Sequence, residues 1–451
     1  MRQQDQGELS FGAGPVEPPA EFQPREDALT REHLRILFLS SLGGVLEFYD
    51  FVIFVFLART IGFLFFPADE PEWLRDVQAF GLFAAGYLAR PLGGIIMAHY
   101  GDRDGRKRVF TFSVLLMAVP TLLIGLMPTY AVLGVAAPML LLLMRVLQGA
   151  AIGGEAPGGW VFVAEHAPPG RQGTALGLLT AGLTGGILLG SVVATLTTIL
   201  AGEPALRAWA WRVPFLLGGV FGLGAMVLRR WLRETPVFAA LRNQHRLASD
   251  GAPAVRVLRE HRRGMLTSMS CTWMLTAAIV VVILMTPTLL PRLSGVTPAN
   301  AQRSILLASL FLTLSAMTVG VAVDRWGPRR VGSVLIPLFV LATYDLFGDL
   351  SGWPLPLRAV LAGTGAGLVS LVPVAMVRCF PPAVRFSGLS LSYNLAYAVC
   401  GGVTPPLVAW LATLGRFHPA HYVAVACAAG LSSLLFSRLP AAVPASSSPA
   451  P

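Results

Sequence analysis

The sequence predicts an all-α integral membrane protein, with twelve transmembrane helices arranged as two pseudo-symmetric six-helix bundles. Three observations predict it. The 451-residue chain is 54% hydrophobic and only 13% charged, with mean hydropathy +0.65, too little polar surface to cover a soluble globule of this length. Its apolar runs recur at the length a bilayer demands, about 20 residues per helix. A charged turn also recurs in corresponding places of the two halves. Asp102-Arg103-Asp104-Gly105-Arg106-Lys107-Arg108 and Asp324-Arg325-Trp326-Gly327-Pro328-Arg329-Arg330 share the pattern Asp-Arg-x-Gly-x-basic-Arg, offset by 324 − 102 = 222 residues. A looser echo, Pro168-Pro169-Gly170-Arg171 against Pro381-Pro382-Ala383-Val384-Arg385, is offset by 385 − 171 = 214. Parallel repeats of this size mark membrane folds made of two similar bundles.

In chain order, residues 1–34 are polar and rich in Pro, Gln and Glu, without an apolar core, and read as a disordered cytoplasmic tail rather than a signal peptide. Apolar segments near 35–65, 77–99, 109–127, 132–164, 174–200 and 211–231 build the first bundle, residues 35–232. The Arg-rich stretch 233–263 is a cytoplasmic linker. Segments near 264–290, 301–322, 331–349, 356–379, 388–414 and 420–438 build the second bundle, 264–439, and 440–451 is a short tail. Gly and Pro inside these runs fit kinked, closely packed membrane helices and would disrupt a soluble core.

The formal net charge of +10 raises the question of nucleic acid, and the placement of the charge answers it. Arg103, Arg106, Lys107 and Arg108 occupy one loop, nine arginines from Arg229 to Arg263 the central one, and Arg325, Arg329 and Arg330 a third. The loops between hold one or two basic residues each, such as Arg75, Arg207 or Arg416. This alternation is the positive-inside pattern of a multi-pass inner (cytoplasmic) membrane protein with both termini in the cytoplasm. No soluble recognition fold accompanies it, so no nucleic acid is expected. Cys271, Cys379, Cys400 and Cys427 stand singly, with no zinc or redox spacing.

Charge inside the membrane is where function should be sought, because it costs a few kcal/mol even on lenient scales. Segment 1 carries Glu47 and Asp50, roughly 18 and 22 Å in from Arg35 at about 1.5 Å per residue. Segment 4 carries Arg145, Gln148 and Glu155 within one arc. Facing stripes of this kind suit the exchange of a proton for a salt bridge; equally, Glu47, Asp50 and Arg145 suit a fixed ion pair holding the two segments together. Segment 11 offers Tyr393, Asn394 and Tyr397, and segment 7 Thr272, Trp273 and Thr276, as substrate-orienting groups or interhelical glue. Arg90 and Arg378 are expected near the cytoplasmic ends, snorkelling or stapling helices to loops. Asp102 and Asp324 begin turns whose glycine allows a sharp reversal, and each can pair with an Arg or accept from a helix N-terminus across the bundle boundary, closing the cytoplasmic side.

These residues resemble the metabolite:proton symporter branch of the major facilitator superfamily over all twelve segments. Four stretches carry the likeness: GGVLEFYDF from Gly43 to Phe51, YLARPLGG and GDRDGRKR between Tyr87 and Arg108, RVLQGAAIGGE from Arg145 to Glu155, and FPPAVRFSGLSLSYNLAYAVCGGVTP from Phe380 to Pro405. The resemblance implies the major facilitator fold and proton-coupled uptake by alternating access. It supports Glu47, Tyr49, Asp50, Arg145, Gln148, Glu155, Tyr393 and Asn394 as core positions; Glu47, Asp50 and Glu155 are expected to couple protons, and Tyr49, Arg145, Gln148, Tyr393 and Asn394, with Tyr397 from the reading of segment 11, to bind substrate. It implies Arg90, Asp102, Arg103, Gly105, Arg106, Asp324 and Arg325 as a cytoplasmic gate. The chain departs from the branch at Phe48, where Trp is usual, at Ala98, where Gly is usual, and at Ala156-Pro157, where an aromatic is common. Its short tail sets it apart from osmosensing members with a C-terminal coiled coil.

The expected function is import of a small polar metabolite, a carboxylate or zwitterion that Arg145 binds, by a monomer in the lipid bilayer. The proton is the coupling ion, with no other cofactor, no metal and no catalytic residues, since no nucleophile–base pair, metal cluster or phosphate loop stands out. A proton-driven exporter is the weaker alternative, because Ala181 to Gly186 lacks the proline of the antiporter signature. A non-transporting nutrient sensor on the same fold is the other.

Overall fold

The computed structural model describes residues 44–46, 48–104, 106–153, 155–168, 170–230, 253–381 and 384–436. Within them the side chains of 95–111, 113–114, 155, 162, 165–166, 225–230 and 253–256 are not described. The expected tails 1–34 and 440–451 and most of the linker 233–263 therefore lie outside the described residues, as do Glu47 and Gly105. The part of the linker that is described contains a helix, Pro253–Glu260.

Helices make up the architecture. In the first half α1 (Gly44–Phe56) and α2 (Ala58–Phe65) form one span bent by 59°. It is followed by α3 (Glu72–Asp104), α4 (Arg106–Leu126), α5 (Ala136–Ile152), α6 (Glu155–His166), α7 (Gln172–Ala205) and α8 (Arg212–Arg230). The second half comprises α9 (Arg262–Thr276), α10 (Thr286–Ser294), α11 (Pro298–Gly348), α12 (Leu355–Ala366), α13 (Leu371–Arg378), α14 (Arg385–Ala396), α15 (Gly402–Leu414) and α16 (His418–Phe436). π-helical turns at Ala277–Leu284 and Tyr397–Gly401 carry α9 towards α10 and α14 into α15.

Among the described residues seven helices are long and apolar enough to cross a bilayer, eight with the bent pair. Each of the twelve expected segments nevertheless has a helical counterpart. Segments 8 and 9 both fall in α11, whose 51 residues are two helices meeting at Gly327 (φ 79°, ψ 156°). That positive φ is cheap for glycine alone, which is why the charged turn carries one. Segments 2, 3 and 6 are α3, α4 and α8; the apolar stretches of the last two are the shorter Leu115–Leu126 and Arg212–Gly224. At the start of α11 Pro298 follows Thr297, whose side chain accepts from the Asn300 N–H at 3.4 Å, satisfying an otherwise orphaned donor.

Large apolar side chains face outward, among them Leu92, Leu200, Leu341 and Phe436, as a lipid solvent requires. With no hydrophobic gain from helix association in lipid, close packing has to hold the bundle, and glycine supplies the proximity. A Cβ at Gly149 of α5 would come within 2.6 Å of the Gly86 Cα in α3, and one at Gly177 of α7 within 2.8 Å of the Gly320 Cα in α11. The two halves touch along α7–α11 and along α3–α15.

Gly149→Ala is therefore expected to cost about 1–3 kcal/mol by overpacking, lowering the thermal midpoint in detergent. Gly81→Ala, where nothing lies within 4 Å of the added methyl, should leave it unchanged or raise it. Equal midpoints for the two variants would remove the close-packing account.

Candidate functional site

Asp50 and its neighbours on α1 divide between two directions. The Asp50 carboxylate lies against α8, where Gly218 and Gly222 leave it room, and beside Thr121 of α4; a Cβ at Gly218 would sit 2.5 Å from Oδ1. Oδ1 has no hydrogen-bond partner. Tyr49 also turns to α8, its hydroxyl donating to the Pro214 carbonyl at 2.8 Å and its ring edge-on to Phe221. Phe51 and Phe54, on the face that meets α5, lie 4.6 Å from the Arg145 guanidinium, and Phe83 of α3 lies 5.0 Å from it.

Arg145 NH1 donates to Gln148 Oε1 at 2.6 Å, Gln148 Nε2 to Thr121 Oγ1 at 2.7 Å, and Thr121 to the Met117 carbonyl at 2.9 Å. Arg145 Nε and NH2 have no partner. The structure thus brings Arg145 and Gln148 together, as their spacing on one arc implies. It does not bring Asp50 to Arg145: among the described residues the two form no ion pair, and Phe51 and Phe54 of α1 meet the guanidinium with their rings. The fixed Asp50–Arg145 pair is corrected accordingly. The Glu155 side chain lies outside the described residues.

A second cation lies across the bundle boundary. Arg90, expected at a helix end, is buried among rings: its guanidinium is 4.4 Å from the centre of Tyr397, 5.5 Å from Tyr393, 5.6 Å from Tyr87 and 6.0 Å from Phe51. Tyr393 and Tyr397 are 4.6 Å apart, Tyr87 and Tyr397 5.1 Å, and Trp160 stands edge-on to Tyr393 at 5.0 Å. Asn394 Nδ2 donates to the Gly153 carbonyl at 2.6 Å, tying α14 to the other half, while its Oδ1 is without a partner. Of the segment 7 candidates, Thr272 and Thr276 donate to carbonyls of their own helix and Trp273 Nε1 donates to the Tyr422 hydroxyl, which is interhelical glue.

Both ends of the molecule are latched. At the charged-turn end Asp324 accepts from the Gly173 and Thr174 N–H groups at 2.6 and 2.7 Å and from the Thr174 hydroxyl at 2.6 Å. One carboxylate from the second half thereby caps the N-terminus of α7 in the first. Arg325 is exposed; the side chains of Asp102, Arg103 and Arg106 lie outside the described residues. At the opposite end Gln302 Nε2 donates to the Phe56 carbonyl at 3.0 Å, Thr195 donates to the Gln302 carbonyl at 3.2 Å, and Arg292 lies 3.8 Å from Asp76.

A cavity of about 480 Å³ opens there, lined by Arg59, Glu72, Arg75, Asp76, Arg207 and Gln302 among others. Sequence reasoning missed this second latch. Its signal was polar residues at span mouths, Asp76 just before segment 2 and Gln302 just inside segment 8. Between the two latched ends Arg145, Asp50 and Arg90 are buried, at 0%, 2% and 3% exposed.

The helical bundle with buried charges and polar latches between its halves has the architecture of the major facilitator fold, and its relatives are membrane transporters. The chain belongs to the sugar (and other) transporter family, whose model matches residues 36–263. Curated relatives cover most of its length. It is 30% identical over 416 residues to the glycine betaine/proline/ectoine/pipecolic acid transporter of Dickeya dadantii, spanning 88% of this chain and 82% of the relative. It is also 30% identical over 409 residues to the proline/betaine transporter of Escherichia coli K12, spanning 87% and 81%. Among solved structures a D-xylose-proton symporter superposes with TM-score 0.69 at 17% identity, covering 91% of this chain and 98% of that one. The E. coli xylose transporter, partially occluded and inward-open, gives 0.68 at 16%, covering 89% and 96%. The expected metabolite:proton symporter resemblance thus stands.

Burial pushes the Asp76 carboxyl up to about 6; Arg292, Arg59 and Arg75 pull it down and Glu72 adds to the rise. Hydrated in an opened cavity, the same group would titrate near 4. Between about pH 4 and 6 closing this end therefore takes up a proton. Closure is favoured as pH falls through 6 and loses that contribution above it. Thiol labelling of Thr60→Cys in the cavity, divided by the labelling rate of a free thiol at the same pH, is expected to rise by about ninefold from pH 5 to 7, and Asp76→Asn to flatten that normalised dependence. An unaltered slope in Asp76→Asn would assign the titration elsewhere.

Proposed function

We propose that this protein is a proton-coupled importer of a small zwitterion, working by alternating access as a monomer in the inner membrane with both termini cytoplasmic. One observation carries the reading. Asp50, Arg90 and Arg145 are buried in the span interiors, and among the described residues none has an opposite charge to pair with. In a membrane such groups are retained for transport or proton relay far more often than for stability. An ionised Asp50 would be an uncompensated charge in this setting, so the proton is its natural partner; protonated, it can sit against Gly218 and Thr121 without one. Two guanidinium groups, joined through the ring of Phe51, attract the carboxylate of a substrate and can bind it by paired N–H···O bonds.

Glu47 and Glu155, at the ends of the same two stripes, complete the coupling set. Tyr49, Gln148, Tyr393, Asn394 and Tyr397 hold the geometry around the substrate. The Asp324 latch, with Asp102, Arg103, Gly105, Arg106 and Arg325 in the paired turns, closes the cytoplasmic side. The Asp76–Arg292 and Gln302 contacts close the outer side. The names of the curated relatives support a zwitterion such as proline or a betaine over a simple organic acid.

Proteoliposomes with an imposed inward proton gradient are expected to accumulate labelled proline or glycine betaine. Asp50→Asn should reduce accumulation by at least about tenfold while exchange of internal for external substrate continues. Substrate-induced alkalinisation that persists at wild-type rate in Asp50→Asn would exclude this carboxylate as the proton carrier.

A further inference from the structure

Arg90 occupies a site shaped for a cation that is not part of the protein. Ring faces carry negative quadrupole density, and a set of them around one point is how organic ammonium groups are held. Here Tyr397, Tyr393 and Tyr87 surround the Arg90 guanidinium at 4.4, 5.5 and 5.6 Å, and Trp160 braces Tyr393 edge-on. Arg90 Nε has no hydrogen-bond partner, and among the described residues no carboxylate forms an ion pair with the guanidinium. The ring faces, with the Tyr397 hydroxyl accepting from the guanidinium, stabilise it. Arg90 and Tyr87 belong to α3 in the first half, whereas Tyr393 and Tyr397 belong to the second, so this contact also joins the two bundles.

We propose that Arg90 is a resident stand-in for the ammonium group of the substrate. The carboxylate of an incoming zwitterion draws Arg90 out of the ring cage into a bidentate pair, and the substrate's own ammonium takes its place over Tyr397, Tyr393 and Tyr87. The exchange explains why a guanidinium is kept in a costly position with no counter-ion among the described residues: the empty protein needs the cage filled, and only a ligand bearing both charges can refill it. A carboxylate without an ammonium would leave the cage vacant. An ammonium without a carboxylate could not dislodge Arg90. Because the cage bridges the bundles, occupancy and bundle contact change in one step.

The inference rests on the zwitterion reading above, but equilibrium binding tests it without transport. The purified full chain in nanodiscs would be titrated calorimetrically with glycine betaine, with its uncharged-head isostere 3,3-dimethylbutanoate, and with tetramethylammonium. Glycine betaine should bind at least tenfold tighter than either. Tyr397→Ala should lose at least tenfold for glycine betaine and change 3,3-dimethylbutanoate by less than twofold. Tyr397→Phe, which keeps the ring face and controls for folding, should retain glycine betaine binding. Equal affinity for glycine betaine and its isostere, no binding of any probe, or equal loss for both probes in Tyr397→Ala would each overturn the proposal. Cage-dependent binding without proton-driven accumulation would overturn the coupling and leave the cage standing. Accumulation of proline with no preference for the charged head would do the reverse.

Discussion

The organising constraint is buried charge that, among the described residues, has no counter-charge. Removing an ion from water into a low-dielectric interior costs several kcal/mol unless partners replace the lost hydration. In this protein Arg145 and Arg90 are met mainly by ring faces, and Asp50 by two glycines and a threonine. Ring faces and a single amide compensate a guanidinium only in part, which is visible in the unpartnered Nε atoms of both arginines. The interior is consequently stable enough to close and not satisfied enough to remain closed once a ligand offers better contacts. A fully paired Asp50–Arg145 bridge would have removed that tension and with it any reason for the bundles to move.

The contacts between the bundles follow the internal repeat. Asp102 ends α3, and its repeat partner Asp324 ends the first part of α11; Arg171 precedes α7, and its partner Arg385 begins α14. The two most extensive contacts between the halves, α3 with α14–α15 and α7 with α11, are thus images of one another under the repeat. The images have diverged in chemistry. At α7–α11, Gly173, Gly177 and Gly320 bring backbones together and Asp324 caps a helix N-terminus. At α3–α14, aromatic rings and Arg90 fill the gap, with Asn394 bonded to Gly153. Duplication supplied the scaffold for a latch on one side and an aromatic cage around Arg90 on the other.

Much of the fold was legible because bilayer length, basic-loop alternation and the repeated turn are one-dimensional signals. Residue identity at the interior was legible too, since charge in an apolar run stands out: Asp50, Arg145, Gln148, Tyr393 and Tyr397 were all marked by that contrast. Direction was not legible. Asp50 and Phe51 differ by about 100° around the helix, so segment 1 presents rings to α5 and a carboxylate to α8, and spacing along one helix cannot say which neighbour each face will meet. Arg90 was misplaced for a related reason. Its distance from the charged turn suggested a snorkelling end, but two of the rings around it, Tyr393 and Tyr397, come from positions about 300 residues away, beyond any local pattern.

The two latches also differ in how they can be opened. The Asp324 contact is a carboxylate on backbone N–H groups at a helix N-terminus, partly buried and with three short bonds; breaking it exposes donors that only water or another anion can satisfy. The opposite latch has two neutral bonds to carbonyls, from the Gln302 amide and the Thr195 hydroxyl, and a long ion pair at 3.8 Å beside an open cavity, a weaker set than a carboxylate on three donors. The resting molecule should therefore open more readily at the Asp76 end, which faces the outside in the proposed orientation. An importer needs that bias, since its empty site has to meet external substrate before the capped helix at the other end is released.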